Sequence, residues 1–421
     1  MIDVTTVFLL FSGIVFMGYM LNALFYRIKI LITLPLLIIG LLLGPILHIV
    51  YAQGNSFIVS IASYVSAIAI AFILFDVGIN IKISDMEFKD TSKFIFSLGI
   101  VTGLIIALAL WLAFRWNLAF ALIAGFAVSG PSSAIVPTLT RLSKANNKLK
   151  TALLFEGIAT DLLQLIVPLL MMGFISTQHL NLDVIPVSLF DFIVMSSVIG
   201  IVSAIFWTFM LKSFKEQSEE YSWMLTITLV LATYGVAQAL GFNGAIAVFV
   251  FGLSFVNIPR LSKRTERYAY GLQPIFSHIQ SYQKEITFFI STFLFVYVGL
   301  LFTPNISFSG LLITVIVAAL ISAIILVLRW VFVPMLKNFF TNSETNRSEV
   351  VLAKFDVARG LSPIIIAILV ASTPSLGAPA GFLDVIVAIV FITNIIETGG
   401  MFRYAQIASK ELPLKQTKQK Q

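Results

Sequence analysis

The 421-residue chain contains no cysteine. That excludes a disulfide framework, a thiolate metal centre and a cysteine nucleophile. Histidine is nearly absent as well. His48, His179 and His278 lie far apart near the ends of apolar runs, and they read as interfacial residues rather than metal ligands. Charge is scarce: Asp, Glu, Lys and Arg make up 11% of the residues, against roughly 25% in ordinary soluble domains. With 59% hydrophobic residues and a mean hydropathy of +1.00, the composition excludes a soluble globular protein. The formal net charge of +7 does not point to nucleic acid. Its Lys and Arg residues sit in short loops between apolar runs, with no basic, aromatic-interleaved patch to bind a strand. No Gly-x-Gly-x-x-Gly follows a strand. No soluble nucleotide-binding or regulatory domain is expected after the last apolar run, and no cofactor is expected.

What remains is a polytopic all-α membrane protein. About 20 mostly apolar residues cross a bilayer as a helix, and thirteen such spans can be drawn. They run from Val4 to Phe25, Leu31 to Val50, Phe57 to Ile81, Ser92 to Phe114, Leu118 to Leu142 and Leu149 to Ile175. Then come Val187 to Leu211, Tyr221 to Leu240, Phe242 to Ile258, Ile286 to Phe302, Phe308 to Leu336, Val350 to Ala371 and Gly381 to Tyr404. The first has neither a basic leader nor a small-residue cleavage site, so it is kept as a span rather than a signal peptide. Alternate loops hold the basic residues, from Arg27 and Lys29 to Lys410 and Lys415, whereas the opposite loops hold essentially Arg115 alone. The positive-inside rule then predicts an external N-terminus and a cytoplasmic C-terminus, which agrees with an odd number of spans. Pro259 to Lys284 mixes basic with apolar residues and reads as an amphipathic segment on the cytoplasmic surface or a plain charged loop.

Thirteen spans divide as six, one and six, so the second six are inserted upside down relative to the first. Inverted repeats are a transporter signature. The expected parts are a first repeat over residues 1–175, a linking span over 187–211, a second repeat over 221–404 and a short tail over 405–421. The string Phe72-Ile-Leu-Phe-Asp-Val-Gly78 in the third span matches Phe293-Leu-Phe-Val-Tyr-Val-Gly299 in the tenth. The fifth and twelfth spans also correspond, and both are interrupted: Ser129-Gly130-Pro131-Ser132-Ser133 in one, Arg359-Gly360-Leu361-Ser362-Pro363 in the other. Proline lacks the N–H and clashes with the preceding turn. Freed backbone groups are tolerated in a membrane only where they line a cavity or are buried in protein. The breaks at Gly130, Pro131, Gly360 and Pro363 therefore mark a pair of discontinuous helices and a binding site, the alternative being two Pro kinks that only shape packing.

Beside these breaks runs Phe155-Glu156-Gly-Ile-Ala-Thr160-Asp161, inside the sixth span. Ionisable residues in a span are functional by default, the alternative here being a structural ion pair. Asp161 lies about 18 Å along the span from Leu149, near the bilayer midplane. Arg359 enters from the same side and needs a partner. Glu156 is expected to pair with it and brace the broken helix, leaving Asp161 unpaired. Thr160, Ser129, Ser132, Ser133 and the carbonyls around Pro131 offer oxygens for a monovalent cation held by Asp161. Burial favours the neutral form of a carboxylic acid, so the group can carry either a proton or a cation. That competition is sufficient for exchange, one proton for one monovalent cation without net charge movement.

These residues resemble the monovalent cation–proton antiporter superfamily over essentially the whole chain. Glu156-x4-Asp161 is similar to the Glu-Ser-Leu-x-Asn-Asp element of the sodium–proton exchanger branch, and Arg359-Gly360 to its late Arg-Gly. Asn243-Gly-Ala-Ile-Ala247 resembles the family's Asn-Gly-Ala-x-Ala. The resemblance implies a homodimer in the bilayer, with a mobile core that carries crossed discontinuous helices and moves by an elevator mechanism against a dimerisation scaffold, and a role in pH homeostasis. A prokaryotic plasma membrane is the expected location. The chain departs from the branch at Thr160, where an Asn or Asp is usual. It departs again at Ser129-Gly130-Pro131, where Thr-Asp-Pro is usual. Ser132-Ser133-Ala134-Ile135 is closer to the potassium-efflux branch, which leaves Na+ and K+ both open.

Other charged residues carry weaker expectations. Asp76, Asn80 and Lys82 read as a solvated funnel, Glu397 and Arg403 as interfacial, and Lys354 and Asp356 as flanking the entrance of the twelfth span. The alternative functions are a cation- or proton-coupled symporter of a small organic solute and an intramembrane aspartic protease using Asp76 with Asp161. A channel is disfavoured, since no filter loop recurs.

Overall fold

In the computed structural model, residues 4–28, 32–48, 61–81, 89–133, 135–136, 147–177, 185–213, 215–257, 263–302, 308–340 and 347–418 are described. Among them there are fourteen α-helices and no strand. The first six are α1 (Val4–Ile28), α2 (Thr33–Leu41), α3 (Ala62–Asn80), α4 (Lys89–Phe114), α5 (Leu118–Ala127) and α6 (Asn147–Thr177). Next come α7 (Ile185–Ser213), α8 (Lys215–Ala239), α9 (Gly244–Asn257) and α10 (Lys263–Leu301). The last four are α11 (Phe308–Phe340), α12 (Arg347–Phe355), α13 (Leu361–Ala371) and α14 (Phe382–Lys418). Seven of these (α3, α6, α7, α8, α10, α11 and α14) are long and apolar enough to cross a membrane, and six shorter apolar helical stretches accompany them.

Twelve of the expected spans overlap one helix each, although α5 covers the fifth only to Ala127 and residues 137–142 of that span lie outside the described part, while the twelfth is the pair α12 and α13. Several boundaries move. α10 begins at Lys263 rather than near Ile286, so residues 263–284 of the expected surface segment belong to one 39-residue helix; residues 258–262 lie outside the described part. Just before Ile286 the polar side chains of α10 bond to a neighbouring helix: Gln280 and Gln283 donate to the carbonyls of Ile79 and Phe72 in α3, at 3.0 and 2.9 Å. α14 continues to Lys418, so most of the expected tail is helical. α9 starts where Asn243-Gly244 interrupts the chain, because the Asn243 side chain accepts from the Ala245 and Ile246 amides as an N-cap.

The chain divides into two compact units. One holds Ser63–Phe88 and Thr177–Ser291. There α7, α8 and α9 pack on one another, around an aromatic-rich core that includes Phe72, Phe75, Trp207, Phe251 and Phe255. The other holds Met1–Ala62, Lys89–Ser176 and Thr292–Gln421. There α14 packs against α2, α11, α12 and α13, while α5 packs against α4 and α13.

Each unit contains a close helix crossing made by glycine. In the first, Gly78 of α3 meets Gly252 of α9, and a Cβ at Gly78 would sit 2.6 Å from the Phe249 carbonyl oxygen. In the other, Gly299 of α10 meets Gly40 of α2, and a Cβ at Gly299 would sit 2.7 Å from the Leu37 carbonyl oxygen. Small residues let membrane helices approach to backbone contact, where van der Waals packing holds them. Gly78 and Gly299 are the matching ends of the two similar strings read in the sequence.

Candidate functional site

The site lies wholly within the unit that contains α6 and α14. α5 stops at Ala127, and the chain runs without helical bonding through Ser129-Gly130-Pro131-Ser132. Glycine is required at position 130, because any Cβ there would collide with the Thr160 side chain. α6 supplies the hydrogen bonds that this stretch lacks. Gln164 donates to the Gly130 carbonyl at 3.1 Å and the Thr160 hydroxyl to the Pro131 carbonyl at 3.0 Å. The Ser133 amide donates to Asp161 at 2.9 Å.

The second interruption spans residues 356–360 between α12 and α13, and α14 braces it in the same manner. The Val357 and Ala358 amides donate to one oxygen of Glu397, at 3.1 and 2.5 Å. Asn394 donates to the Arg359 carbonyl at 2.8 Å, and its own carbonyl oxygen accepts from Thr33 of α2. The two interruptions cross. The Ser132 amide donates to the Ala358 carbonyl at 3.2 Å, and Arg359 reaches back to the Val128 carbonyl at 2.8 Å. Every such bond offsets the cost of a backbone polar group out of water, which is about 1–3 kcal/mol when it is left unmade.

Asp161 sits at this crossing and is only 4% exposed. One carboxylate oxygen accepts from the amide and hydroxyl of Ser133. The other accepts from the Ser362 hydroxyl, in the first turn of α13, at 3.1 Å. Asp161 thus joins both interruptions through hydroxyl groups. Among the described residues it makes no ion pair.

The charged neighbours differ from the sequence expectation. Glu156 pairs with Arg329 of α11, not with Arg359. Arg329 also pairs with Asp356 at 3.1 Å and donates to the Ala353 carbonyl at 2.8 Å. Arg359 instead donates to the carbonyls of Val128 and Val357. The physical reason is the second interruption itself. It leaves carbonyls that need donors, and a guanidinium carries five N–H groups. Glu397, expected at an interface, is fully buried, because it holds the amides of the same interruption. Arg403 is exposed, as expected.

Of the expected ion-site residues, Ser133 contacts Asp161 directly. Ser132 is buried against Gly360. The Thr160 hydroxyl is taken up by the carbonyls of Pro131, Glu156 and Gly157, so it faces away from Asp161. Ser129 is buried with an unpartnered hydroxyl. It lines a small cavity together with Thr102, Glu156, Thr160, Asp356 and Arg359. Gly360 and Pro363 fall at the start of α13, as the sequence indicates. Sequence reasoning missed Arg329, Ser362, Asn394 and Glu397 as site residues. Arg329 was detectable as a lone guanidinium inside an apolar span, where it must find a partner. Ser362 was detectable as the counterpart of Ser132 in the paired Gly-x-Ser strings. Asp76 belongs to the other unit, where Asn80 donates to its side chain at 3.0 Å.

A sequence model of the family described as sodium/hydrogen exchanger, transmembrane, matches residues 12–406. The chain belongs to this family. It is therefore an integral membrane protein of the sodium/hydrogen exchanger family, a family of transporters. The same fold occurs in the sodium proton antiporter MjNhaP1 from Methanocaldococcus jannaschii. A structure of that protein at pH 8 superposes with a TM-score of 0.75 and 18% identity, covering 94% of this chain and 100% of that one. A second structure, an electron-microscopy map of the same antiporter, gives a TM-score of 0.71 and 17% identity over 97% of this chain and 98% of that one. No individually curated protein matches the sequence. In the exchanger described here, the crossed interruptions, Asp161 and the Arg329 bridge all fall within the span that the family model matches.

Proposed function

We propose that the chain is a secondary antiporter exchanging a monovalent cation, Na+ or K+, for H+ at Asp161, one for one, by alternating access. The observation that carries this reading is the setting of Asp161. It is a buried carboxylate whose hydrogen bonds come from hydroxyls and one amide, at the crossing of two unwound segments. The cations nearby are spent elsewhere, on Glu156, Asp356 and backbone carbonyls. Asp161 is therefore free to be neutralised either by a proton or by a cation held with the oxygens of Ser133 and Ser362. A carboxylate that exchanges one charge for another keeps the site neutral, which suits a carrier that must move its loaded site through a low-dielectric region.

The two similar strings ending in Gly78 and Gly299, with their matching glycine crossings, support two inverted repeats. In our reading the protein works as a homodimer with an elevator-like core, its C-terminus on the cytoplasmic side of a prokaryotic plasma membrane.

The test is cation-driven proton efflux from proteoliposomes, with Li+, Na+, K+ and Rb+ supplied in turn to wild type and Asp161→Asn. Wild type is expected to respond to at least one alkali cation and Asp161→Asn to none. Uptake of an organic solute with no response to any alkali-cation gradient would favour a symporter and overturn the proposal.

A further inference from the structure

Among the described residues, five buried charged side chains surround the second interruption: Glu156, Asp356 and Glu397 against Arg329 and Arg359, none more than 6% exposed. Three carboxylates face two guanidinium groups, so the cluster, if fully ionised, carries one uncompensated negative charge. Such a charge inside a membrane protein is costly unless something neutralises it. The three carboxylates are not equivalent. Glu156 and Asp356 each take a hydrogen bond from Arg329. Glu397 takes none from a guanidinium. One of its oxygens accepts from the Val357 and Ala358 amides, and the other, like the second oxygen of Glu156, is buried without a partner, so what sets Glu397 apart is the lack of a guanidinium bond.

We infer that Glu397 is a second proton-binding site, separate from Asp161, and that it carries the one proton that balances this cluster. The geometry suits a neutral acid, with the carbonyl oxygen accepting both amides and the hydroxyl on the unpartnered oxygen. The groups facing Glu397 are Arg329 from α11 together with Asp356 and Arg359 from the interruption. The titratable side chains of α12 are Arg347, Glu349 and Lys354, and α2 and α13 carry none. An alkali cation is a poorer occupant. The hydrogen-bond partners of Glu397 are the Val357 and Ala358 amides, with none of the hydroxyl oxygens that Ser133 and Ser362 offer at Asp161. The proton also bears on shape, because Glu397 holds the amides that keep residues 357 and 358 out of a helix.

Infrared spectroscopy of the full-length protein in lipid tests this through the carbonyl stretch of protonated carboxyl groups, which carboxylates lack. Asp161→Asn at neutral pH is expected to keep one such band, and Glu397→Gln in that background to lose it. Asp356→Asn with Asp161→Asn removes a negative charge elsewhere in the cluster. It is expected to weaken the band as Glu397 becomes free to ionise, and it serves as the independent variant if Glu397→Gln does not fold. Absence of the band in Asp161→Asn overturns the inference, as does its survival in Asp161→Asn with Glu397→Gln or its undiminished strength in Asp161→Asn with Asp356→Asn. A band that appears only when Na+ and K+ are withdrawn assigns the missing charge to an alkali cation and overturns it too. None of these readouts depends on whether Asp161 exchanges ions.

Discussion

Replacing Arg329 with methionine is expected to be among the most damaging single changes in the buried core. Its guanidinium bonds to Glu156, Asp356 and the Ala353 carbonyl, and its side chain is 6% exposed. Removing one partner of a buried ion pair costs about 3–5 kcal/mol, because the other charge is left without compensation. Here one cation serves two carboxylates, so Arg329→Met is expected near the top of that range. The pairing itself is tested by double-mutant cycles, read from unfolding in mixed micles of increasing denaturing detergent. Glu156→Gln combined with Arg329→Met is expected to show a coupling of about 1–3 kcal/mol, as groups in direct contact do. Glu156→Gln combined with Arg359→Met is expected to show much less, since Arg359 is held by the carbonyls of Val128 and Val357. A coupling of Glu156 to Arg359 as large as that to Arg329 would refute the assignment of partners.

Gly130→Ala drives a Cβ into Thr160; a destabilisation of about 1–3 kcal/mol is expected for such overpacking, with slower exchange in proteoliposomes as its functional readout. Asn394→Leu orphans the Arg359 carbonyl, which corresponds to about 1–3 kcal/mol in the same micelle unfolding assay. If proton and cation compete for Asp161, lowering the pH raises the apparent KM for the cation and leaves the maximal rate at saturating cation largely unchanged. A maximal rate that fell in step with pH at constant KM would contradict that competition. One-for-one exchange carries no net charge, so clamping the membrane potential with valinomycin and K+ in Na+-driven assays is expected to leave the rate unaltered.

Much of this architecture was legible in the sequence. Apolar runs located the helices because a bilayer leaves few other ways to bury a backbone. Pro131 and Gly360 located the interruptions because each residue disrupts helical geometry for a local reason. Asp161 stood out because a carboxylate within a span is rare. Partner choice was not legible. Arg359 and Glu156 lie at similar depth and made a natural pair on paper. Yet which guanidinium meets Glu156 depends on where α11 runs, and on carbonyls that only the folded interruption frees. Glu397 was misread for a related reason: its position near a span end looked interfacial, whereas α14 continues to Lys418 and buries it. The extension of α10 ahead of Ile286 was hidden in part because Gln280 and Gln283 are satisfied by α3 rather than by water.

The most direct measurement is proton release when a cation binds to the purified protein in weakly buffered detergent, followed with a pH indicator as Na+ or K+ is added. Wild type is expected to release protons in proportion to cation bound, and Asp161→Asn to release none. Cation binding without proton release, or release preserved in Asp161→Asn, would contradict competition of the two ions for that carboxylate.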